Sequence, residues 1–324
     1  MARRRLTPVL RTLLLVLIVL VGCGGDRPPA AGPRVVQLFL NWFPEHEHGG
    51  YFAALVGGDY RDAGLDVRIL PGGPQAPVAA RVAKGEVEFG ILNADDVLVA
   101  RAAGAPIVAL AAPIQTSPVC VMVHRASGIE KLADLRDVTL AISVAGAHYQ
   151  YLQRHVPLTG VTIVPYGGSI AEFLTNPRYA QQAYAISEPI LAAAQGSDPD
   201  CLLIADIGFN PYTSLLVTSE TLLRAEPDLV RRMTAASVAG WRRYAEDGAP
   251  AHARILESNP EIGRRTLDRG REALLPLVLT DESRAHGIGT MSKERWEALQ
   301  KQLLEAGSLS APIDVTSAFV APPS

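Results

Sequence analysis

Short apolar runs and stretches of helical spacing take turns along the chain. Residues 35–40 form an apolar run that stops at a Pro-containing turn, which predicts a strand. Residues 50–60 predict a helix, with Tyr51, Ala54, Leu55 and Gly58 near one face. Strands are expected at 66–70, 88–92 and 107–112, and helices at 77–84, closed by Gly85, and at 95–103. This βαβ rhythm predicts an open, mostly parallel α/β sheet. A second set follows, with strands at 119–124, 139–143, 161–165, 183–187 and 202–205 and helices at 147–155, 169–175 and 189–194. One more strand, 214–218, precedes a tail of helices that includes 227–246, 251–256 and 293–306.

Two α/β sets and a helical tail predict two lobes. The breaks fall near 114–118 and 208–213, both polar and Pro-containing. A chain that crosses at both breaks makes lobe one discontinuous, residues 35–115 plus 212–320, and lobe two 119–207. Open α/β sheets bind ligands at the carboxyl ends of their strands. Here those ends would face a cleft between the lobes, and hinged closure around a ligand is expected.

The first residues carry a different pattern. Arg3, Arg4, Arg5 and Arg11 lead into nine consecutive apolar residues, Leu13 through Val21, then Gly22-Cys23. Nine residues fall short of the roughly 20 that span a bilayer. The order of segments fits a bacterial lipoprotein signal, with 1–22 removed and Cys23 acylated; an ordinary secretory signal is the alternative. Removal takes four arginines and no acid from a formal net charge of −3, leaving an acidic chain at −7. Residues 23–34, rich in Gly, Pro and Ala, read as a flexible tether to the membrane, facing the periplasm or the cell exterior. The absence of a basic surplus excludes the electrostatic footprint of a nucleic-acid binder. With 48% apolar and 19% charged residues the chain has ample core, which excludes disorder. Cys120 and Cys201 each lie in a strand-like apolar run; buried free thiols or a disulfide in an oxidising compartment both fit. Neither belongs to a CxxC, so no metal or redox site is expected there.

Five motifs occur in order: Leu40-Asn41-Trp42-Phe43-Pro44 with His48, Gly49, Tyr51 and Ala54; Gly64-Leu65-Asp66-Val67; Lys84 through Gly90; Gln182 through Pro189; and Gly208 through Tyr212. Together, over about 35–220, they resemble the bacterial solute-binding proteins related to thiamine-pyrimidine synthase. The resemblance implies a type II periplasmic-binding fold and delivery of a small-molecule solute to an ABC permease and its ATPase. The family's ligands include thiamine-pyrimidine precursors, riboflavin, sulfonates and nitrate-like anions. Its enzymatic member, the synthase, is the alternative reading, and a ligand-sensing surface lipoprotein is another. The synthase carries a pyridoxal-phosphate lysine where this chain has Gly57, and a cysteine-rich run where it has Phe209-Asn210-Pro211-Tyr212. Without an amine no Schiff base forms. GxSxG, HExxH and GxxxxGK[ST] are also missing, so a binder without catalytic residues or cofactor is expected.

The site expected from the residues combines both lobes. Trp42 and Phe43, at a strand end, offer flat walls for a ring, worth about 0.5–1.5 kcal/mol beyond burial. His48 and Tyr51 are further candidates at the following helix. Glu45 and Glu47 place negative charge near the cleft mouth and disfavour a small anion. With His46 and His48 they also suit zinc by residue type, but neighbours two apart on a loop make a poor metal site. Asn93 offers a donor and an acceptor, whereas Asp95 serves equally as a helix cap. Gln115 and Thr116 lie at a crossover, and Ser143, Tyr166 and Tyr212 lie in or near turns after strands. Glu188 fits either a carboxylate for an amino or ring N–H group, or helix-end charge compensation. Aromatic walls beside acidic groups favour a neutral or partly cationic heteroaromatic solute, pyrimidine-like or flavin-like, over an anion.

Overall fold

The computed structural model describes residues 32–320. The signal segment 1–22, Cys23 and nearly all of the tether therefore lie outside the described residues. Ten strands form two five-stranded sheets. The first contains β1 (Arg34–Phe39), β2 (Leu65–Leu70), β3 (Phe89–Leu92), β4 (Ile107–Ala111) and, from late in the chain, β10 (Leu215–Ser219), in the order β2-β1-β3-β10-β4. The second contains β5 (Val119–His124), β6 (Thr139–Ala141), β7 (Thr162–Val164), β8 (Tyr179–Tyr184) and β9 (Pro199–Leu203), in the order β7-β6-β8-β5-β9. The two orders are the same pattern. In each, the strand by which the chain enters from the other sheet, β10 or β5, runs antiparallel to both neighbours. The other pairings run parallel.

Burial explains the sequence patterns. β3, β4 and β10, covered on both faces, are buried throughout and read as continuous apolar runs. The edge strand β2 alternates, with Leu65 and Val67 inward and Asp66 and Arg68 outward. Helices Ala147–His155, Pro227–Glu246 and Lys293–Ala306 occur where their apolar periodicity places them. The helix expected at 50–60 breaks at Gly58, whose φ of 86° separates Gly49–Gly57 from Asp59–Asp62.

Three features differ from the sequence reading. β8 starts earlier than expected and ends at Tyr184; the expected strand residues 185–187 instead turn into helix Glu188–Ala194. Polar Gln181 and Gln182 masked the strand, although Gln181 is fully buried in it. β9 likewise ends at Leu203, before a 3-10 turn at Ile204–Ile207. The tail also holds helix Arg264–Val278, which its arginines, Gly270 and Pro276 obscured. Leu267, Leu274 and Val278 form its buried face.

The segments that link the sheets run side by side, bridged antiparallel at Ile114 and Thr213. Arg295, on helix Lys293–Ala306, donates to the Gln115 carbonyl in one segment and to the Asn210 carbonyl in the other. Its guanidinium also lies 3.9 Å over the Tyr212 ring. The same helix packs against helices Ala94–Ala102 and Ala147–His155, which flank different sheets. Cys120 and Cys201, on adjacent strands β5 and β9, are joined in a disulfide. Among the described residues no helix is long and apolar enough to cross a membrane.

Candidate functional site

A cavity of about 130 Å³ opens where strand ends of the two sheets meet. From the first sheet, the turn after β1 brings Asn41 and Trp42, then Glu45 and Glu47. From the second, Tyr166 follows β7, Gln182, Ala183 and Tyr184 close β8, and Glu188 opens the next helix. Trp42, Tyr166 and Tyr184 supply aromatic wall, and the three glutamates supply the charge. Gly168, at φ 76°, lets the turn beside Tyr166 approach Trp42: a Cβ there would come within 3.2 Å of the indole.

The acidic turn is folded inward. Residues His46–His48 form a single 3-10 turn, and all of Glu45 to His48 are buried. His48 explains part of this. Its Nδ1 accepts from the Glu45 backbone N–H at 3.4 Å, so the ring proton sits on Nε2. Nε2–H donates to Asn41 Oδ1 at 2.9 Å and fixes that side chain at the cavity edge. Glu47 Oε1 lies 3.0 Å from the same nitrogen, yet it accepts no hydrogen bond among the described residues.

Two hydrogen bonds cross between the sheets at this point. Ser187 Oγ donates to Glu45 Oε2 at 3.1 Å, and Asn93 Nδ2 donates to Tyr184 Oη at 3.0 Å. Glu188 is held within its own half, accepting from Tyr166 Oη at 2.6 Å and from the Tyr184 backbone N–H at 2.7 Å. Gln182 Oε1 accepts from the Ser143 backbone N–H and pairs with His148 Nε2, which fixes the amide.

Burial dominates the electrostatics. It raises the Glu45 carboxyl well above its ordinary range, with Glu47 and Glu188 adding repulsion. Burial also raises Glu188, against which the Tyr166 and Tyr184 hydrogen bonds pull. The Tyr166 hydroxyl is raised by burial and by the Glu188 charge, so it stays a donor. Such a cavity accepts hydrogen bonds from ring or amino N–H groups and disfavours an anion.

The expected residues divide into those at the cavity and those that support it. Trp42, Tyr166 and Glu188 line it together. Phe43 does not: it turns outward, 47% exposed, with its ring edge against Trp42. His48 lies beneath the lining, and Tyr51 is deeper still, donating to the Ser214 carbonyl and packed on Trp241. Asn93 bridges the Ser214 backbone N–H to Tyr184, and Ser143 holds Gln182 through its backbone. Gln115 is buried in the crossover and donates to the Ala112 and Thr290 carbonyls. Thr116 beside it donates its backbone N–H to Leu277. Tyr212 is core, accepting from the Ser292 backbone N–H under Arg295. Asp95 lines a different, larger cavity of about 360 Å³ with residues near Gly146 and Ser308. That cavity has no aromatic wall, which leaves the smaller one as the candidate site. The residues that sequence reasoning did not place at the site are Asn41, Gln182, Ala183 and Tyr184, although each lies within a motif.

The doubled sheet pattern, paired crossings and inter-lobe cavity define a two-lobed type II periplasmic-binding fold with a C-terminal helical tail. The chain belongs to the NMT1/THI5 like family, whose profile matches residues 45–251. It is 25% identical to the riboflavin-binding protein RibY of Chloroflexus aurantiacus, across 96% of this chain and 96% of that protein. It is 22% identical to the formylaminopyrimidine-binding protein of Halalkalibacterium halodurans, across 95% and 96%. In structure it is similar to the periplasmic aliphatic sulphonate binding protein SsuA of Escherichia coli. The TM-score is 0.67 at 15% identity, over 90% of this chain and 94% of that one.

Proposed function

We propose that this protein is an extracytoplasmic solute-binding lipoprotein that captures a small nitrogen heteroaromatic and presents it to an ABC permease and its ATPase. One observation carries the reading: Trp42, Tyr166 and Tyr184 wall a cavity whose charged groups are Glu45, Glu47 and Glu188. The relatives named for riboflavin and formylaminopyrimidine support the ligand class. Residues 35–115 with 212–320 act as one lobe and 119–207 as the other. Rotation about the paired crossings opens and closes the cavity, and the solute shifts the population by contacting both lobes at once. Cys23 carries the lipid, and Cys23→Ser releases the protein from the membrane fraction.

The role is binding rather than catalysis. Gly57 ends its helix, and a Cβ there would meet the Arg243 side chain. A thermal-shift panel tests the reading. A solute that binds only the folded chain adds RT ln(1 + [L]/Kd), about 2.7 kcal/mol at a hundredfold excess over Kd. Formylaminopyrimidine or riboflavin is expected to raise the melting temperature, alkanesulfonates to leave it unchanged, and pyridoxal phosphate to give no aldimine absorbance. A response to sulfonates with none to heteroaromatics would overturn the ligand class.

A further inference from the structure

Glu45, Glu47 and Glu188 border one small cavity, and none of its lining residues is a lysine or arginine. Their hydrogen bonds are unequal. Glu188 has both oxygens engaged, by Tyr166 and by the Tyr184 backbone. Glu45 has Ser187. Glu47 is 1% exposed, and its Oε1 has no hydrogen-bond partner among the described residues. A buried acceptor oxygen without a hydrogen bond, on a residue that lines a cavity, marks the place of a missing donor.

We propose that the cleft takes its solute as an organic cation held by Glu47 and releases a proton in exchange, Glu45 or Glu188 passing from protonated to ionised as the solute enters. The inference rests on the solute-binding reading above. Glu45 and Glu188 border the same buried cavity and repel each other, so the empty cleft holds a proton on this pair. Burial raises Glu45 and Glu188 in that sense. The groups around the trio offer no compensating charge. On its own turn, His48 accepts at Nδ1 from the Glu45 backbone and donates from Nε2 to Asn41, and His46 is held neutral by burial. Asn41, Tyr51, Tyr166, Tyr184, Ser187 and Tyr244 approach from the other elements, and all are uncharged. Arg271 keeps its charge outside the lining, 5.6 Å from the Tyr244 ring, where it donates to the Tyr244 and Ala245 carbonyls and pairs with none of the three glutamates. An arriving cation replaces the proton: the carboxyl O–H bond breaks, the proton passes to buffer, and the charge in the cleft is conserved. Trp42, Tyr166 and Tyr184 line the same cavity and supply aromatic rings that attract a cation.

Calorimetric titration at neutral pH with benzamidinium and its neutral isostere benzamide tests this, each run in Tris and in phosphate. The expected result is binding of benzamidinium about tenfold tighter or more. Its apparent enthalpy should differ between the buffers by the ionisation heat of up to one released proton. Glu47→Gln should remove the preference for benzamidinium over benzamide and abolish the enthalpy difference between the buffers. Should that variant fail to fold, the two-buffer comparison on the native chain decides alone. Equal or tighter binding of benzamide, no binding of benzamidinium, or identical enthalpies in both buffers would overturn the proposal. Where one of these results overturns the exchange, a heteroaromatic that raises the melting temperature leaves the solute-binding reading standing; if no heteroaromatic binds either, that reading fails with it.

Discussion

His46 sits under the acidic turn with its ring pressed on helix Arg264–Val278; a Cβ at Gly270 would come within 2.4 Å of its Nδ1. It is fully buried, and neither ring nitrogen makes a hydrogen bond of normal geometry among the described residues. Burial, followed by the nearby His48 and His252 rings, lowers its pKa from 6.5 to about 3, while the Ile186 backbone offsets part of the shift. The unfolded chain therefore binds a proton that the folded chain refuses. Stability is complete above about pH 6.5 and is lost as pH falls toward 3, at about 1.4 kcal/mol per unit inside that window. By pH 5 the loss is about 2 kcal/mol. Glu45 and Glu188 act in the opposite sense, because their raised pKa values leave the folded chain holding protons that the unfolded chain has released. The wild-type curve alone would mix these effects. His46→Met removes only the histidine titration, so the gap between wild type and variant isolates it. Urea unfolding at pH 7.5 and pH 5 measures that gap. The variant is expected to gain about 2 kcal/mol on wild type between the two conditions. A gap constant to within about 0.5 kcal/mol would refute the reasoning.

Ser187→Ala removes one of the two hydrogen bonds that cross between the sheets beside the cavity, so solute affinity should fall about fivefold by calorimetry. Arg295→Ala frees both crossings, and denaturant unfolding should report a loss of about 2–3 kcal/mol. Replacing both Cys120 and Cys201 by alanine should cost about 2–4 kcal/mol, and reductant should lower the melt of the wild type but not of this variant.

Much of the fold was legible because each element's own pattern matched its burial. Lys293–Ala306 carries its apolar face in sequence, as the buried Trp296, Leu299 and Leu303 show. Arg264–Val278 was not legible, since its small buried face is interrupted by Gly270, whose lack of a side chain is what admits His46. That loss propagated into the site. Glu45 to His48 read as a charged loop at the cleft mouth because the helix that covers His46 had not been seen. Trp42, Tyr166 and Glu188 were recoverable from their places at strand ends. Tyr184 and Gln182 were not, since the strand itself had been placed too late along the chain. Asn93 and His48 have the polarity of ligand contacts, but their partners are protein groups that only the assembled fold brings near.

Native mass spectrometry of the protein purified from its own host tests the central claim most directly. The account predicts a bound small nitrogenous aromatic on the wild type, absent from a Trp42→Ala, Glu188→Ala double variant that melts normally. An aliphatic sulfonate in its place, or the same aromatic retained in full by the double variant, would contradict it.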